Sequence, residues 1–226
     1  YRAVVIVSKE NPQDGTTIRQ CTTDLFEGDD ADDKKSRFRM AYWINPDRGE
    51  LFFAKRVVLV EGETERVALP FLADKIGCLD PTISVIDCGS KFNLRLYIAI
   101  LNAFQIPYVV LHDEDPLPDP IPSSWSEDRR KSEQRTYDEN EKIRKAVDVR
   151  FGRVEMVPGE FEELAGISKT QAERKGKALA ALEHLSGKSV EELPPALVAI
   201  VRSVYNASRT PDETCNSTSP AVGRRA

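Results

Sequence analysis

The stretch RVVLVEGETERVALPFLADKIG, residues 56–77, sets the fold: an unbroken apolar run ends in Glu61 and Gly62, and a helical pattern carrying Glu65 opens at once. A strand that ends at Val60 delivers Glu61 to the carboxyl edge of the sheet, where open α/β sheets bind their ligands. Glu65 then falls on the same side, one turn into the helix. The signature recurs in PYVVLHDED, residues 107–115, whose strand ends in acids with Asp113 and Asp115 two apart and so expected to face the same way. Four carboxylates on one edge repel one another unless a cation lies between them. An all-oxygen set suits a hard divalent ion, magnesium or manganese, with calcium also able to bind.

Working outward, alternation continues on both sides of these strands. The pattern predicts strand 56–60, helix 64–76, strand 82–87, helix 92–104, strand 107–111, a mixed-charge helix from about 132 to 149, strand 153–157, and helices at about 169–185 and 190–205. That order implies a mostly parallel central sheet flanked by helices, with a helical part at the C-terminal end. Upstream, residues 2–8 and 16–22 read as a hairpin around NPQDG. The segment EGDDADDKK, residues 27–35, reads as a polar linker, and SRFRMAYWINPDRGELFFA, residues 36–54, as a helical connector. PLPDPIPSSW, residues 116–125, excludes helix and central strand and is expected to form a loop beside the acids. The tail 206–226 has the composition of disorder.

Bulk properties exclude more than they select. The 37 acids and 32 bases give a net charge of -5, which neither advertises nor forbids a nucleic-acid partner, because bound cations reverse the local sign of an acidic site. Four cysteines without a CxxC pair and only two histidines argue against a zinc site. No apolar run approaches the roughly 18 residues that span a bilayer, so the expectation is a cytoplasmic protein with no membrane contact. The chain opens at Tyr1 inside a strand-like run and reads as a piece of something longer. A phosphate-wrapping GxxxxGK[ST] loop is missing: Gly187-Lys188-Ser189 has Leu182 where the first glycine belongs.

The Glu61-Gly62 pair after one strand and Asp113-Glu114-Asp115 after a later one resemble the metal site of Toprim domains, found in topoisomerases, primases and certain nucleases. The finer resemblance is to the nucleases of the OLD (overcoming lysogenization defect) family, through LFFAKRVVLVEGETE at 51–65, GSKFNL at 89–94 and IPYVVLHDED at 106–115. It covers roughly residues 50–205. It implies a Toprim fold over 55–165, preceded by the end of an ATPase domain and a connector at 1–54, and followed by a helical segment at 166–205 and a disordered tail. It also implies a metal-dependent DNA endonuclease, monomeric as a fragment, working with two ions of magnesium or manganese. Metal ligands would be Glu61, Glu65, Asp113 and Asp115, with a further acid from PGEFEELAGI, either Glu160 or Glu162, Glu163 being a third choice. Glu61 and Asp113 would also be catalytic. The basic residue set against the scissile phosphate would be Lys177, with Lys188 the competitor.

Other residues carry weaker readings. Lys91, Arg129, Arg130 and Lys131 are candidate contacts to a DNA backbone, although three consecutive bases at a helix entrance equally describe a solvated face. Ser90 and Asn93 lie at a strand-to-helix turn that could meet a phosphate or simply start the helix. His112, inside a strand, reads as packed and hydrogen-bonded. Rival functions are a topoisomerase or primase relative, which would need a tyrosine nucleophile or a zinc module on another domain, and a non-catalytic module binding DNA or protein.

Overall fold

The computed structural model describes residues 4–9, 13, 15–22, 25, 49–167 and 176–206. The expected linker at 27–35, most of the connector, the first part of the helix expected from 169 and the tail beyond 206 lie outside the described residues. Two short strands, β1 (Val5–Ser8) and β2 (Thr17–Gln20), form the antiparallel hairpin, with Val7 opposite Ile18.

The main sheet has four parallel strands in the order β4-β3-β5-β6: β3 (Arg56–Val60), β4 (Ile83–Asp87), β5 (Tyr108–Asp113) and β6 (Gly152–Val157). Helices cover both faces, and the period-two alternation of each strand assigns the side chains. Val58, Val60, Val109 and Leu111 join helix α1 (Glu63–Lys75) in one core, with Phe161 and Ala165 of α4 (Phe161–Ala165). α5 (Lys177–Ser186) and α6 (Pro195–Asn206) pack into that same core through Ala181, Leu185, Leu197 and Val201. Val57, Leu59, Tyr108 and Val110 face the other way, onto α2 (Leu94–Phe104) and Ile143 of α3 (Glu127–Ala146).

The connection from β3 to β4 runs through α1 on one face, and that from β4 to β5 through α2 on the other. The strand order thus reverses between β3 and β5, whose carboxyl ends flank the crevice that such a reversal opens. Glu61 follows the first of these strands and Asp113 ends the second.

Three boundaries differ from the sequence reading. The long helix starts at Glu127, five residues early, because Ser126 caps it by accepting from the Arg129 amide at 3.2 Å. Arg129, Arg130 and Lys131 consequently lie within its first turns. β5 extends through His112 and Asp113, which pair with Met156 and Val157 of β6. The helix expected from 190 is a single 3-10 turn, Val190–Glu192, closed by a Ser189/Glu192 capping box, and α6 starts afresh at Pro195, where a missing amide hydrogen costs nothing.

Candidate metal centre

Asp113 is tied to three elements at once. Its amide donates to Glu61 Oε1 at 3.0 Å, its Oδ1 accepts from the Phe161 amide at 2.9 Å, and its carbonyl oxygen accepts from Lys91 Nζ at 2.7 Å. The ends of β3 and β5, the start of α4 and the turn before α2 therefore meet at one residue. His112 Nδ1 also donates to the Asp113 carbonyl, at 2.8 Å, and the imidazole is buried, which pushes its pKa down to about 4 and keeps it neutral. The reading of His112 as a packed strand residue agrees with this placement.

Burial raises the carboxyls of the crevice, and their mutual repulsion adds to it. Asp113 is pushed up to about 8, first by desolvation and then by Glu61, Glu65 and Asp115. Glu61 rises to about 7 by desolvation, against the pull of Lys91 and the Asp113 amide. Glu65, buried on α1, rises to about 6 by desolvation, with Glu162 and Asp87 adding to it. Proteins seldom bury several acids together unless a cation or a proton is meant to join them.

The acids do not stand assembled around a point. Among the described residues no three histidine, cysteine or acidic side chains are gathered as a metal would hold them. Instead each carboxylate turns to a donor of the protein. Glu61 and Asp113 take the amides just named, Asp115 takes Lys91, and Glu162 Oε1 accepts from Thr64 Oγ1 at 3.3 Å and pairs with Lys177 Nζ at 3.1 Å. The donor set nevertheless fits a hard divalent cation: the candidate ligating atoms are carboxylate oxygens, three of them on buried or half-buried acids raised in pKa.

Asp115 departs from expectation. Strand alternation would align it with Asp113, but the strand ends at Asp113, and Asp115 adopts a left-handed backbone at φ 47°. For a residue with a β-carbon such a conformation costs on the order of 1–3 kcal/mol and persists where the surroundings enforce it. The ion pair between Lys91 Nζ and Asp115 Oδ2, 2.7 Å, supplies that enforcement and brings the carboxylate back to the site.

Lys91 requires a correction. Expected on the DNA-facing surface, it is only 3% exposed, with its ammonium inside the acid cluster. Its turn is fastened by Asn93, whose Nδ2 donates to the Cys88 carbonyl at 2.8 Å, so Asn93 serves the turn rather than a phosphate. Arg129 and Lys131 do lie on the exposed face of α3, where they pair with Glu133 at 3.6 Å and Glu127 at 2.6 Å. Arg129 also stacks on Trp125 of the proline-rich loop, 4.5 Å from the ring centre. Arg130 is exposed on the same helix.

Of the three glutamates near α4, Glu162 is half-buried and directed toward Thr64 and Lys177, whereas Glu160 and Glu163 are exposed. The two lysine candidates also separate. Lys177, at the first position of α5, is raised in pKa by its hydrogen bond to Glu162, with Glu160 and Glu65 adding to the effect. The amine of Lys188 instead lies near Gly166 and acts on His184 and Glu192.

Two residues of this region escaped the sequence reading. Asp87 ends β4 in register with Val60, and its charge bears on Glu65. ISVIDCG carries the same strand-acid signal as VVLVEG and could have disclosed it. Thr64, buried between Glu63 and Glu65, had no signal beyond its place in the helix.

Residues 52–115 match the family model for the Overcoming lysogenization defect protein-like TOPRIM domain. Over these residues the chain is similar to the OLD-like Toprim family. The match spans β3 to the end of β5 and so contains Glu61, Glu65, Lys91, Asp113 and Asp115. Over 188 residues the chain is 33% identical to the OLD nuclease of Thermus scotoductus, an alignment covering 80% of this chain and 34% of that protein. The Toprim chain thus spans about a third of its curated relative. Solved structures of the C-terminal regions of two OLD proteins are also similar. That from Burkholderia pseudomallei is 20% identical with a TM-score of 0.45, covering 69% of this chain and 98% of that one. One from Xanthomonas campestris pv. campestris is 21% identical with a TM-score of 0.46, covering 70% and 96%. No helix among the described residues is long and apolar enough to cross a membrane.

Proposed function

We propose that this Toprim domain is the catalytic part of a metal-dependent DNA endonuclease of the OLD type, and that it hydrolyses phosphodiester bonds with two divalent ions. The observation that carries the reading is the placement of half-buried Glu61 and Asp113 and buried Glu65, all raised in pKa, at the point where the strand order reverses. Glu61, Glu65, Asp113 and Asp115, with Glu162 from α4, would hold magnesium or manganese. When bound, the ions supply an activated water and offset the negative charge that builds on the phosphate. The protein's own part is to keep Asp113 oriented through its three bonded atoms, to hold Glu65 out of water, and to present Lys177 beside Glu162. A lysine there would donate to a phosphate oxygen as its charge grows. Arg129, Arg130 and Lys131 on α3 would hold the DNA backbone, as sequence-independent cations do.

DNA is the proposed substrate and partner, an ATPase domain the proposed neighbour in the full-length protein, and the cytoplasm the proposed location. The domain division at residues 54, 165 and 205 belongs to the same reading. Supercoiled plasmid incubated with the protein in EDTA, magnesium and manganese tests it. Cleavage only with a divalent ion, giving ends free of protein, is expected. Cleavage in excess EDTA would overturn the metal role, protein left covalently on the DNA would move the domain to the topoisomerases, and intact plasmid throughout would leave a binding module.

A further inference from the structure

A lysine seldom enters a protein interior, and one buried amid a proposed cation site competes for the same carboxylates. Lys91 does so at 3% exposure, and both of its bonds go to the acid loop: 2.7 Å to the Asp113 carbonyl and 2.7 Å to Asp115 Oδ2. The first bond shares an acceptor with Nδ1 of His112, the preceding residue of β5, so the Asp113 carbonyl is held by two donors. The second holds a residue whose backbone is left-handed without being glycine. The base of the lysine is itself fixed, since Asn93 ties the turn to Cys88 and Phe92 carries the Arg135 guanidinium stacked at 4.8 Å.

We propose that Lys91 is a positioning residue for the metal centre: a tethered cation that sets the conformation of the Asp113–Asp115 segment before any divalent ion arrives. The inference rests on the metal-nuclease reading above. Lys91 adds a positive charge near the ion, which by itself weakens binding. It also removes the need to reorganise a strained loop and to bring Asp115 toward Asp113 and Glu61 as each ion binds. Groups that orient metal ligands are typically worth about 10–100-fold in affinity. Repulsion by one ammonium, whose charge Asp115 partly neutralises at 2.7 Å, is taken to be the smaller effect.

Manganese binding by isothermal calorimetry on the whole chain, without DNA, tests this. Wild type, Lys91→Met, Lys91→Gln and Lys91→Arg are compared. Lys91→Met is expected to weaken manganese by about tenfold or more. Lys91→Gln, which can still donate to the Asp113 carbonyl, is expected to lose less, and Lys91→Arg, which keeps the charge, to recover most of the affinity. Should Lys91→Met fail to fold, the Gln and Arg variants carry the comparison by the same ranking. Tighter manganese binding in the uncharged variants would overturn the inference and mark Lys91 as a competitor for the site. If wild type binds no manganese at all, the metal reading itself falls. A lysine that merely contacted DNA would leave manganese affinity unmoved and lower the salt dependence of DNA binding, and that result too would overturn the inference.

Discussion

At the scale of single residues, the two lysines near the C-terminal helices offer a sharp comparison. Lys177 Nζ is 3.1 Å from Glu162 Oε1 and feels Glu65, while Lys188 belongs to the surroundings of His184 and Glu192. If Lys177 donates to the phosphate as charge develops, Lys177→Ala should slow plasmid cleavage by about 10²-fold or more, the scale of losing one such donor. Lys188→Ala should cleave close to the wild-type rate, and equal effects of the two would remove Lys177 from the reaction. Steady-state rates at saturating manganese measure both. Asp113 was legible because an acid ending an apolar strand has no packing purpose. Lys91 was misplaced because nothing in GSKFNL records that the turn folds inward, where Asp113 and Asp115 arrive from more than twenty positions away.

At the scale of elements, the tight fit of β5 against β6 depends on a residue that the sequence left unremarked. Gly152 begins β6 beneath Tyr108, and a β-carbon there would lie 2.1 Å from the ring's Cζ. The ring cannot easily yield, because its hydroxyl donates to Asn102 Oδ1 at 2.7 Å and accepts from the Asp148 amide at 3.2 Å. Gly152→Ala should therefore destabilise the fold by about 1–3 kcal/mol or more, the usual cost of overpacking, seen as a lower midpoint in urea. An unchanged midpoint would show that β6 shifts freely. Because β6 leads directly into α4, the variant should also weaken manganese binding. Strand positions and helix order were legible from unbroken apolar runs and their spacing. The ends were not, since Ser126 capping and the extension of β5 along β6 are decided by local bonds and by a partner strand.

For the whole molecule, the acids in the crevice tie folding to both pH and metal. Asp113 at about 8, Glu61 at about 7 and Glu65 at about 6 all lie above their ordinary carboxyl values, so over this range the folded state binds more protons than the unfolded chain. The stability they contribute is fully present at low pH and is lost as pH rises through the folded values. His112 acts in the opposite sense: its folded value of about 4 lies below the ordinary 6.5, so it opposes folding as pH falls beneath 6.5. The decline due to the carboxyls is therefore clearest above pH 6.5. In EDTA the thermal midpoint of the wild-type protein should fall between pH 6.5 and about 8.5, and manganese should offset most of that fall by supplying the charge the protons leave behind. Asp113→Asn should remove the steepest part of the decline and be the more stable protein at pH 8.5 in EDTA, while gaining less from manganese. It should also abolish cleavage, separating the destabilising charge from the function it serves. A flat profile in EDTA that Asp113→Asn leaves unchanged would mean that these carboxyls ionise freely in the fold, and that no strained anionic centre awaits a cation between β3 and β5.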